Sequence, residues 1–284
     1  MLGHKAYQVF SKEFETWVTC RNYDARLKNL DIFEDAKVIN NIDAFSFDSI
    51  RKAFDSVRPT VVLNCLGIIK QLKEAKNPKV SIYVNSLFPH LLAELCQSND
   101  SRLIHISTDC VFSGRKGMYQ EEDQSDAEDL YGRSKFLGEV NYPPGLTLRT
   151  SIIGHELFSA VSLVDWFISN ENGTVRGYIN ANYTGLPTIT FVNEILRIIK
   201  QDIRLVGLYH VSSDPISKYE LLCLINEVYN CKIRIDPDDQ LFCDRSLDSQ
   251  KYRLRTDFRP KSWKEMVYQM FEDYQSHKTY RRKP

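Results

Sequence analysis

Two hydrophobic patterns alternate along the first half of the chain. Continuous apolar runs at residues 60–67 and 103–107 are typical of strands that are buried on both faces of a parallel sheet. Residues 46–57 and 78–97 instead show apolar positions at helical spacing. This alternation predicts an α/β fold with a doubly wound parallel sheet between helices.

The pattern loosens beyond residue 153 into mixed α and β segments. Helices are predicted at 163–169, 191–200, 217–229 and 263–271, with short strands at 175–179 and 208–211. We therefore predict a first domain at residues 1–153 and a smaller mixed α/β lobe at residues 154–284, which can interleave with the first.

The composition excludes several classes of protein. The 284 residues are 43% hydrophobic and 26% charged, with a formal net charge of +0, so nothing indicates a nucleic-acid or anionic-membrane surface. The basic residues 278–284 are interpreted as a solvated tail. No apolar run reaches the roughly 18 residues of a membrane span, and no signal peptide is visible. The 7 cysteines form no C-x-x-C pair, which argues against a metal site and favours a reducing cytoplasm.

Candidate chemistry centres on Tyr131 and Lys135. Residues four apart lie one above the other on a helix, so an ammonium can sit near a phenol. A nearby cation favours the phenolate, so we expect Lys135 to lower the pKa of Tyr131 toward neutral pH and make it an acid or base. Thr108 ends an apolar strand, where ligands gather in open α/β sheets.

The motif around Thr108 carries a family resemblance. Ser107-Thr108-Asp109-Cys110-Val111-Phe112-Ser113-Gly114 resembles the Ser-Thr-Asp-x-Val-Phe-x-Gly motif of the dTDP-4-dehydrorhamnose reductase branch of the extended short-chain dehydrogenase/reductase family. The resemblance implies a Rossmann-like fold in which residues 1–153 bind NADPH or NADH and residues 154–284 bind a sugar nucleotide. It also implies reduction of a 4-keto-6-deoxysugar nucleotide for cell-surface polysaccharide synthesis, with Thr108, Tyr131 and Lys135 catalytic.

The start of the chain departs from the family pattern. Residues 1–10 are predicted to be helical, and Gly3-His4 resembles only the end of the family's Gly-x-x-Gly-x-Leu-Gly-His motif. The first strand and two glycines are absent, which would open the sheet. We favour a misplaced start codon, with a fragment or a degenerate homologue as alternatives. By resemblance, Gly3 contacts the cofactor.

Two residues are assigned to the adenosine end of the cofactor. Arg21 follows the strand predicted at residues 16–20, where a basic residue meets an adenosine 2′-phosphate. Its alternative is a solvated loop residue, so NADPH is preferred over NADH only on this ground. By resemblance Asp43 meets the adenine amino group; otherwise it caps a helix.

Further cofactor contacts are implied by the resemblance. The strand ending in Leu66-Gly67 resembles the family's Asn-x-x-Gly strand, which lies against the cofactor ribose. Gly67 permits close approach of a ligand, unless it is only a turn residue. Asn85 braces the active-site strands in relatives, and we include Ser107 with this group. Tyr131 and Lys135 complete it at the ribose of the nicotinamide.

Substrate contacts are expected from four residues: Cys110, Ser151, Arg245 and Arg253. Cys110 stands where sugar-nucleotide dehydratases have a catalytic Glu, which argues against dehydration. Ser151 belongs to Arg149-Thr150-Ser151-Ile152, where rhamnose relatives have Trp after Arg-Thr-Ser, so the sugar itself stays open. The arginines, with Lys251 and Arg255, are candidates for a diphosphate or, equally, a solvated cluster.

Two other functions remain open at this stage. The absent first strand favours a non-catalytic NAD(P)-binding regulatory subunit, whereas the intact Thr108, Tyr131 and Lys135 argue against it. An epimerase of the same superfamily is also not excluded by these residues. The oligomeric state is open, with a homodimer as one alternative.

Overall fold

The computed structural model describes residues 1–70 and 73–277. The helices are α1 (Leu2–Phe10), α2 (Ala25–Lys28), α3 (Phe47–Val57), α4 (Pro78–Ser81), α5 (Phe88–Ser98), α6 (Leu130–Leu137), α7 (Leu163–Ile168), α8 (Thr188–Lys200), α9 (Lys218–Tyr229), α10 (Gln250–Thr256) and α11 (Trp263–Ser276). The strands are β1 (Val18–Thr19), β2 (Val38–Ile39), β3 (Val61–Asn64), β4 (Arg102–Thr108), β5 (Gly145–Thr150), β6 (Ile152–Ile153), β7 (Thr174–Tyr178), β8 (Ala181–Tyr183), β9 (Leu186–Pro187), β10 (Gly207–His210), β11 (Ile216–Ser217), β12 (Arg234–Asp238) and β13 (Cys243–Asp244).

The main sheet has four parallel strands in the order β10-β5-β4-β3. Strand β4 is central and almost wholly buried, as its apolar run predicts, and all six residues of β5 are buried as well. In the register of this sheet Thr108 lies opposite Thr150, so both strands end at one edge. The predicted α/β class with a parallel sheet is confirmed.

A second, two-stranded parallel sheet is formed by β1 and β2. Within residues 1–70 and 73–277 it does not pair with the main sheet. Strands β1 and β3 therefore belong to separate sheets.

The two halves of the chain interleave. Strand β10 comes from beyond residue 153 yet pairs with β5 in the main sheet. One core cluster likewise joins Leu2 and Ile104 to Phe191 and Met266. The packing is therefore continuous across residues 153 and 154. The assignment of the two halves to cofactor and substrate stays a prediction.

Capping explains several helix ends. Ser217 and Glu220 form the predicted capping box at the start of α9, in which each side chain bonds the other residue's backbone N–H. Helix α3 ends at Arg58, which takes the left-handed conformation with φ 49° before Pro59.

The helix predicted at residues 78–97 is interrupted by a π-helix. Between α4 and α5 the backbone forms a π-helix at Ile82–Leu87, a feature that hydrophobic spacing does not reveal.

Two further predictions concern the C-terminal tail and membrane-spanning helices. The basic residues 278–284 lie outside the described residues. Within the described part of the chain, no helix combines the length and apolarity needed to cross a membrane.

A buried ion pair joins the end of α6 to the sheet. The Arg149 guanidinium donates to both carboxylate oxygens of Glu139 at 2.7 and 2.6 Å, and the two side chains are 1% and 5% exposed. Ser107 Oγ donates to the same carboxylate at 2.7 Å. Because each group satisfies the other in a bidentate arrangement, neither charge is left unpaired in the core.

Arg149→Met tests this pair. The substitution leaves the Glu139 carboxylate buried and unpaired, so we expect the free energy of unfolding to fall by about 3–5 kcal/mol. Urea denaturation measures this change. Arg234→Met, which breaks an exposed pair with Asp236, serves as the control and should cost less than about 1 kcal/mol. A cost at position 149 no larger than that of the control would contradict the assignment.

Candidate active site

Thr108, Tyr131 and Lys135 are brought together at the carboxyl end of β4. Thr108 is the last residue of that strand, and its hydroxyl accepts a hydrogen bond from the Cys110 N–H at 3.1 Å. Tyr131 and Lys135 lie on α6, whose first turn is capped by the Asp129 carboxylate accepting from the Gly132 N–H at 2.8 Å. The structure thus places the three predicted catalytic residues at one site.

The Lys135 ammonium group is buried against β4. Its Nζ donates to the Ile106 carbonyl at 2.7 Å and lies 3.5 Å from Nε2 of His105. Burial lowers the pKa of Lys135 to about 8, an effect that the Glu139 carboxylate partly opposes. Lys135 is therefore anchored to the strand that carries Thr108.

The pKa of Tyr131 is shifted against the sequence prediction. Burial raises it, the Cys110 thiol and the Asp109 carboxylate add to the rise, and a hydrogen bond with Thr108 lowers it in part. The expected lowering by Lys135 does not occur, because the ammonium is directed to the Ile106 carbonyl. Tyr131 is thus a phenol at neutral pH, which is the form that donates a proton.

Asn85 fixes the loop after β3. Its side chain accepts from the Ile68 N–H at 2.8 Å, donates to the Ile68 carbonyl at 3.0 Å and donates to Ser134 Oγ at 3.1 Å. A Cβ at Gly67 would lie 3.5 Å from Asn85 Oδ1. Asn85 therefore ties the loop to α6, which agrees with the bracing role expected for it.

The predicted cofactor residues lie at the end of β3 and beside β1. Gly3, in the first turn of α1, is adjacent to Cys65. A Cβ added at Gly3 would lie 3.7 Å from the Cβ of Cys65. Leu66 next to it is 42% exposed. Arg21 and Asp43 lie 3.9 Å apart on the surface near β1 and β2. The two residues assigned to the adenosine end are therefore neighbours.

Ser107, one of the predicted cofactor residues, has a buried hydroxyl that donates to Glu139. The hydroxyl thus supports the ion pair of Glu139 and Arg149, and the cofactor contact of Ser107 stays a prediction.

A cavity of about 370 Å³ lies between the segment that follows β4 and the segment that precedes α6. Cys110 and Arg245 line it, with Lys70 and Asp129 joined by a 2.7 Å ion pair at its wall. The Arg245 guanidinium donates to the Phe112 carbonyl at 2.8 Å. Desolvation raises the pKa of the Cys110 thiol to about 12, so this thiol stays protonated. Two of the four predicted substrate residues therefore share one cavity.

The remaining predicted substrate residues lie elsewhere. Arg253 donates to Ser249 Oγ at 3.0 Å and to the Ser212 carbonyl at 3.1 Å, which fixes α10 to the preceding loop. Lys251 pairs with Glu122 at 3.2 Å, and Arg255 is exposed on α10. The structure does not bring these three cations into the cavity, because α10 directs them to its own neighbours.

Sequence reasoning missed two residues, Lys218 and Tyr183, that act electrostatically on Cys110 of the cavity wall. Lys218 Nζ lies 4.0 Å from the centre of the Tyr183 ring, and burial lowers the pKa of Lys218 while the Asp109 carboxylate raises it. Burial raises the pKa of Tyr183, whose hydroxyl and the Ser151 carbonyl both lie against Gly185. Ser151 therefore has an aromatic neighbour from β8, which the spacing within its own strand could not indicate. Within the described residues, no group of three or more His, Cys, Asp or Glu could hold a metal ion.

Comparison with known proteins supplies family relationships. The model of the family described as RmlD substrate binding domain matches residues 22–276. A dTDP-4-dehydrorhamnose reductase of Mycolicibacterium smegmatis is 38% identical over 163 residues, 54% of this chain and 49% of that protein. Methionine adenosyltransferase 2 subunit beta of Danio rerio is 30% identical over 200 residues, 64% of this chain and 60% of that protein. The alignments thus span between about half and three-fifths of these relatives.

A solved structure supports the fold. The dTDP-4-dehydrorhamnose reductase of Bacillus anthracis in complex with NADP superposes with a TM-score of 0.74 at 19% identity, covering 91% of this chain and 98% of that one. The Rossmann-like fold is therefore confirmed.

Stability should depend on pH through Lys135. The folded protein releases this proton at about pH 8, whereas an unfolded lysine holds it to about pH 10.4. The unfolded state therefore binds more protons between these values, and stability rises with pH there. We expect the unfolding free energy of the wild type, minus that of Lys135→Met, to rise by up to about 3 kcal/mol from pH 7 to pH 10. Urea denaturation at several pH values measures it.

The exposed Lys79 provides the control, because Lys79→Met removes a lysine from the surface of α4. For Lys79→Met, the difference in unfolding free energy from the wild type should not change with pH. If the difference for Lys135→Met were equally independent of pH, the effect of burial on Lys135 would be contradicted.

Proposed function

Because this chain belongs to the RmlD substrate binding domain family, we propose that it is an NAD(P)H-dependent reductase of a 4-keto-6-deoxysugar nucleotide. The observation that carries the proposal is that half-buried Tyr131 joins the buried Thr108 and Lys135 at the carboxyl end of β4. Relatives named dTDP-4-dehydrorhamnose reductase support the substrate class. The product would serve the synthesis of cell-surface polysaccharide.

The residues present fit a nicotinamide dinucleotide at both ends. Arg21 and Asp43 are exposed neighbours suited to an adenosine with a 2′-phosphate, which favours NADPH over NADH. Gly3 at the start of α1 lies against Cys65, next to the exposed Leu66, and both would contact the middle of the cofactor. Lys135 would hold the hydroxyls of the nicotinamide ribose. When bound, the reduced cofactor supplies a hydride.

Tyr131 is the proton donor of the proposed reaction. Its raised pKa keeps the phenol protonated at neutral pH, and the phenol gives this proton to the ketone oxygen of the substrate. Thr108, whose hydroxyl is close enough to the phenol to lower its pKa in part, orients the same substrate oxygen. Lys135 keeps α6 against β4 through the Ile106 carbonyl, so the geometry of both hydroxyls is fixed.

The cavity lined by Cys110 and Arg245 is the proposed substrate site. Arg245 offers a guanidinium that suits a diphosphate, which it would bind through charge-assisted hydrogen bonds.

Tyr131→Phe tests the catalytic role. The variant lacks the acidic proton, so we expect kcat to fall by about 10²–10⁴-fold while NADPH binding is retained. Absorbance of the reduced cofactor with a 4-keto-6-deoxysugar nucleotide measures turnover, and cofactor fluorescence measures binding. Tyr178→Phe, at an exposed position of β7, is the matched control. Equal turnover in both variants would rule out Tyr131 as the acid.

Arg245→Gln tests the substrate site. Loss of charge-assisted hydrogen bonds to a diphosphate should raise KM by roughly tenfold to a hundredfold, with a smaller change in kcat. The exposed Arg176→Gln, on β7, should leave KM unchanged. Steady-state kinetics against sugar-nucleotide concentration measures both, and an unchanged KM at position 245 would remove Arg245 from the site.

A second candidate function is a non-catalytic subunit. The relative named methionine adenosyltransferase 2 subunit beta favours it, because that protein is not named as a reductase. In that case the chain would bind NADPH but turn over no keto-sugar nucleotide. Size-exclusion chromatography with a methionine adenosyltransferase catalytic subunit, combined with the turnover assay, separates the two functions.

A further inference from the structure

A hydrogen-bond chain runs from β3 to the buried side of Lys135. Asn64 Oδ1 accepts from the Leu66 N–H at 3.1 Å, which fixes the orientation of the side-chain amide. Its Nδ2 therefore faces Nδ1 of His105, also at 3.1 Å. Asn64 is 4% exposed and His105 is 0% exposed, so water does not compete for these contacts.

The position of the proton on His105 follows from these contacts. An amide nitrogen can only donate, so Nδ1 of His105 must accept. A nitrogen that accepts carries no hydrogen, and the imidazole is therefore neutral with its proton on Nε2. Burial also lowers the pKa of His105 well below its usual range, and the Lys135 charge acts in the same direction.

The Nε2–H of His105 bears directly on Lys135. Nε2 lies 3.5 Å from Nζ. If Lys135 is an ammonium, two N–H donors face each other and the contact is repulsive. If Lys135 is an amine, its lone pair can accept from Nε2–H. The contact therefore favours the amine.

We propose that His105 is a positioning residue that sets the protonation state of Lys135 through this donor contact, with Asn64 holding the tautomer. The proposal rests on the proposed function, since it concerns the lysine of that site. His105 itself does not touch the substrate or the ketone.

Burial and other charged groups act on Lys135 together with this contact. The Glu139 carboxylate, just after α6, favours the ammonium, but Arg149 on β5 and Ser107 on β4 already occupy its oxygens. Tyr131, also on α6, is a neutral phenol. From α5, His90 acts on His105 and disfavours a second charge there. The lowering of the Lys135 pKa to about 8 agrees with this balance.

The first experiment reads the tautomer in the wild-type protein. Two-bond ¹H–¹⁵N correlation spectra distinguish an imidazole protonated on Nε2 from one protonated on Nδ1, and His105→Gln assigns the signals. We expect His105 to be neutral with the proton on Nε2 from pH 6 to pH 9. A proton on Nδ1, or a charged ring, would overturn the proposal whether or not any variant folds.

The second experiment titrates Lys135 by ¹³C NMR of its ε carbon, without cofactor or substrate. In His105→Gln, the new carbonyl oxygen can accept from the ammonium, so the pKa of Lys135 should rise by about one unit. Lys5 on α1, which is buried beside Asp273 of α11, is the internal control, and its pKa should not change. An unchanged Lys135 pKa in the folded variant would mean that His105 only packs the core.

These measurements are independent of turnover. If the protein reduces no keto-sugar nucleotide, the proposed function fails while the tautomer and the titration still decide the role of His105. If turnover is found but the Lys135 pKa does not respond to His105→Gln, the reductase function stands and this inference fails.

Discussion

The Glu139 carboxylate is the constraint on which the site depends. It accepts hydrogen bonds from Ser107 on β4 and from Arg149 on β5, and it follows α6 directly. Two adjacent strands and the helix with Tyr131 and Lys135 are therefore held at one buried charge. Because a buried carboxylate tolerates no loss of partners, the end of α6 has little freedom to move away from the sheet. The proximity of Thr108 to Tyr131 is a consequence of this packing.

Much of the fold was predictable from apolar spacing. The runs at residues 60–67 and 103–107 became β3 and β4, and the capping box at Ser217 set the start of α9. The short strands β8, β9, β12 and β13 were not predicted. They contain Asn, Pro and Asp, which depress strand propensity, and their pairing is decided by distant segments. The interleaving of β10 with β5 also depends on tertiary contacts alone.

The site shows where sequence reasoning reaches its limit. The i, i+4 spacing placed Tyr131 and Lys135 on one helix face, and the motif placed Thr108 near them. The predicted direction of the Tyr131 pKa shift was wrong. Sequence spacing identifies neighbouring charges but not burial, and desolvation outweighs the neighbouring groups here. Lys218, Tyr183 and His105 were missed for a related reason: each reaches the site from another element of the fold.

The π-helix at Ile82–Leu87 has a consequence for the length of this segment. An extra residue in the turn sets the direction of Asn85, and with it the contacts to Ile68 and Ser134. Deleting a single residue there would let the backbone relax to an uninterrupted α-helix, in which each position turns the side chain by about 100°. The amide would then swing away from the loop after β3. Chain length across this turn therefore fixes the contacts of Asn85 as much as the identity of the residue does.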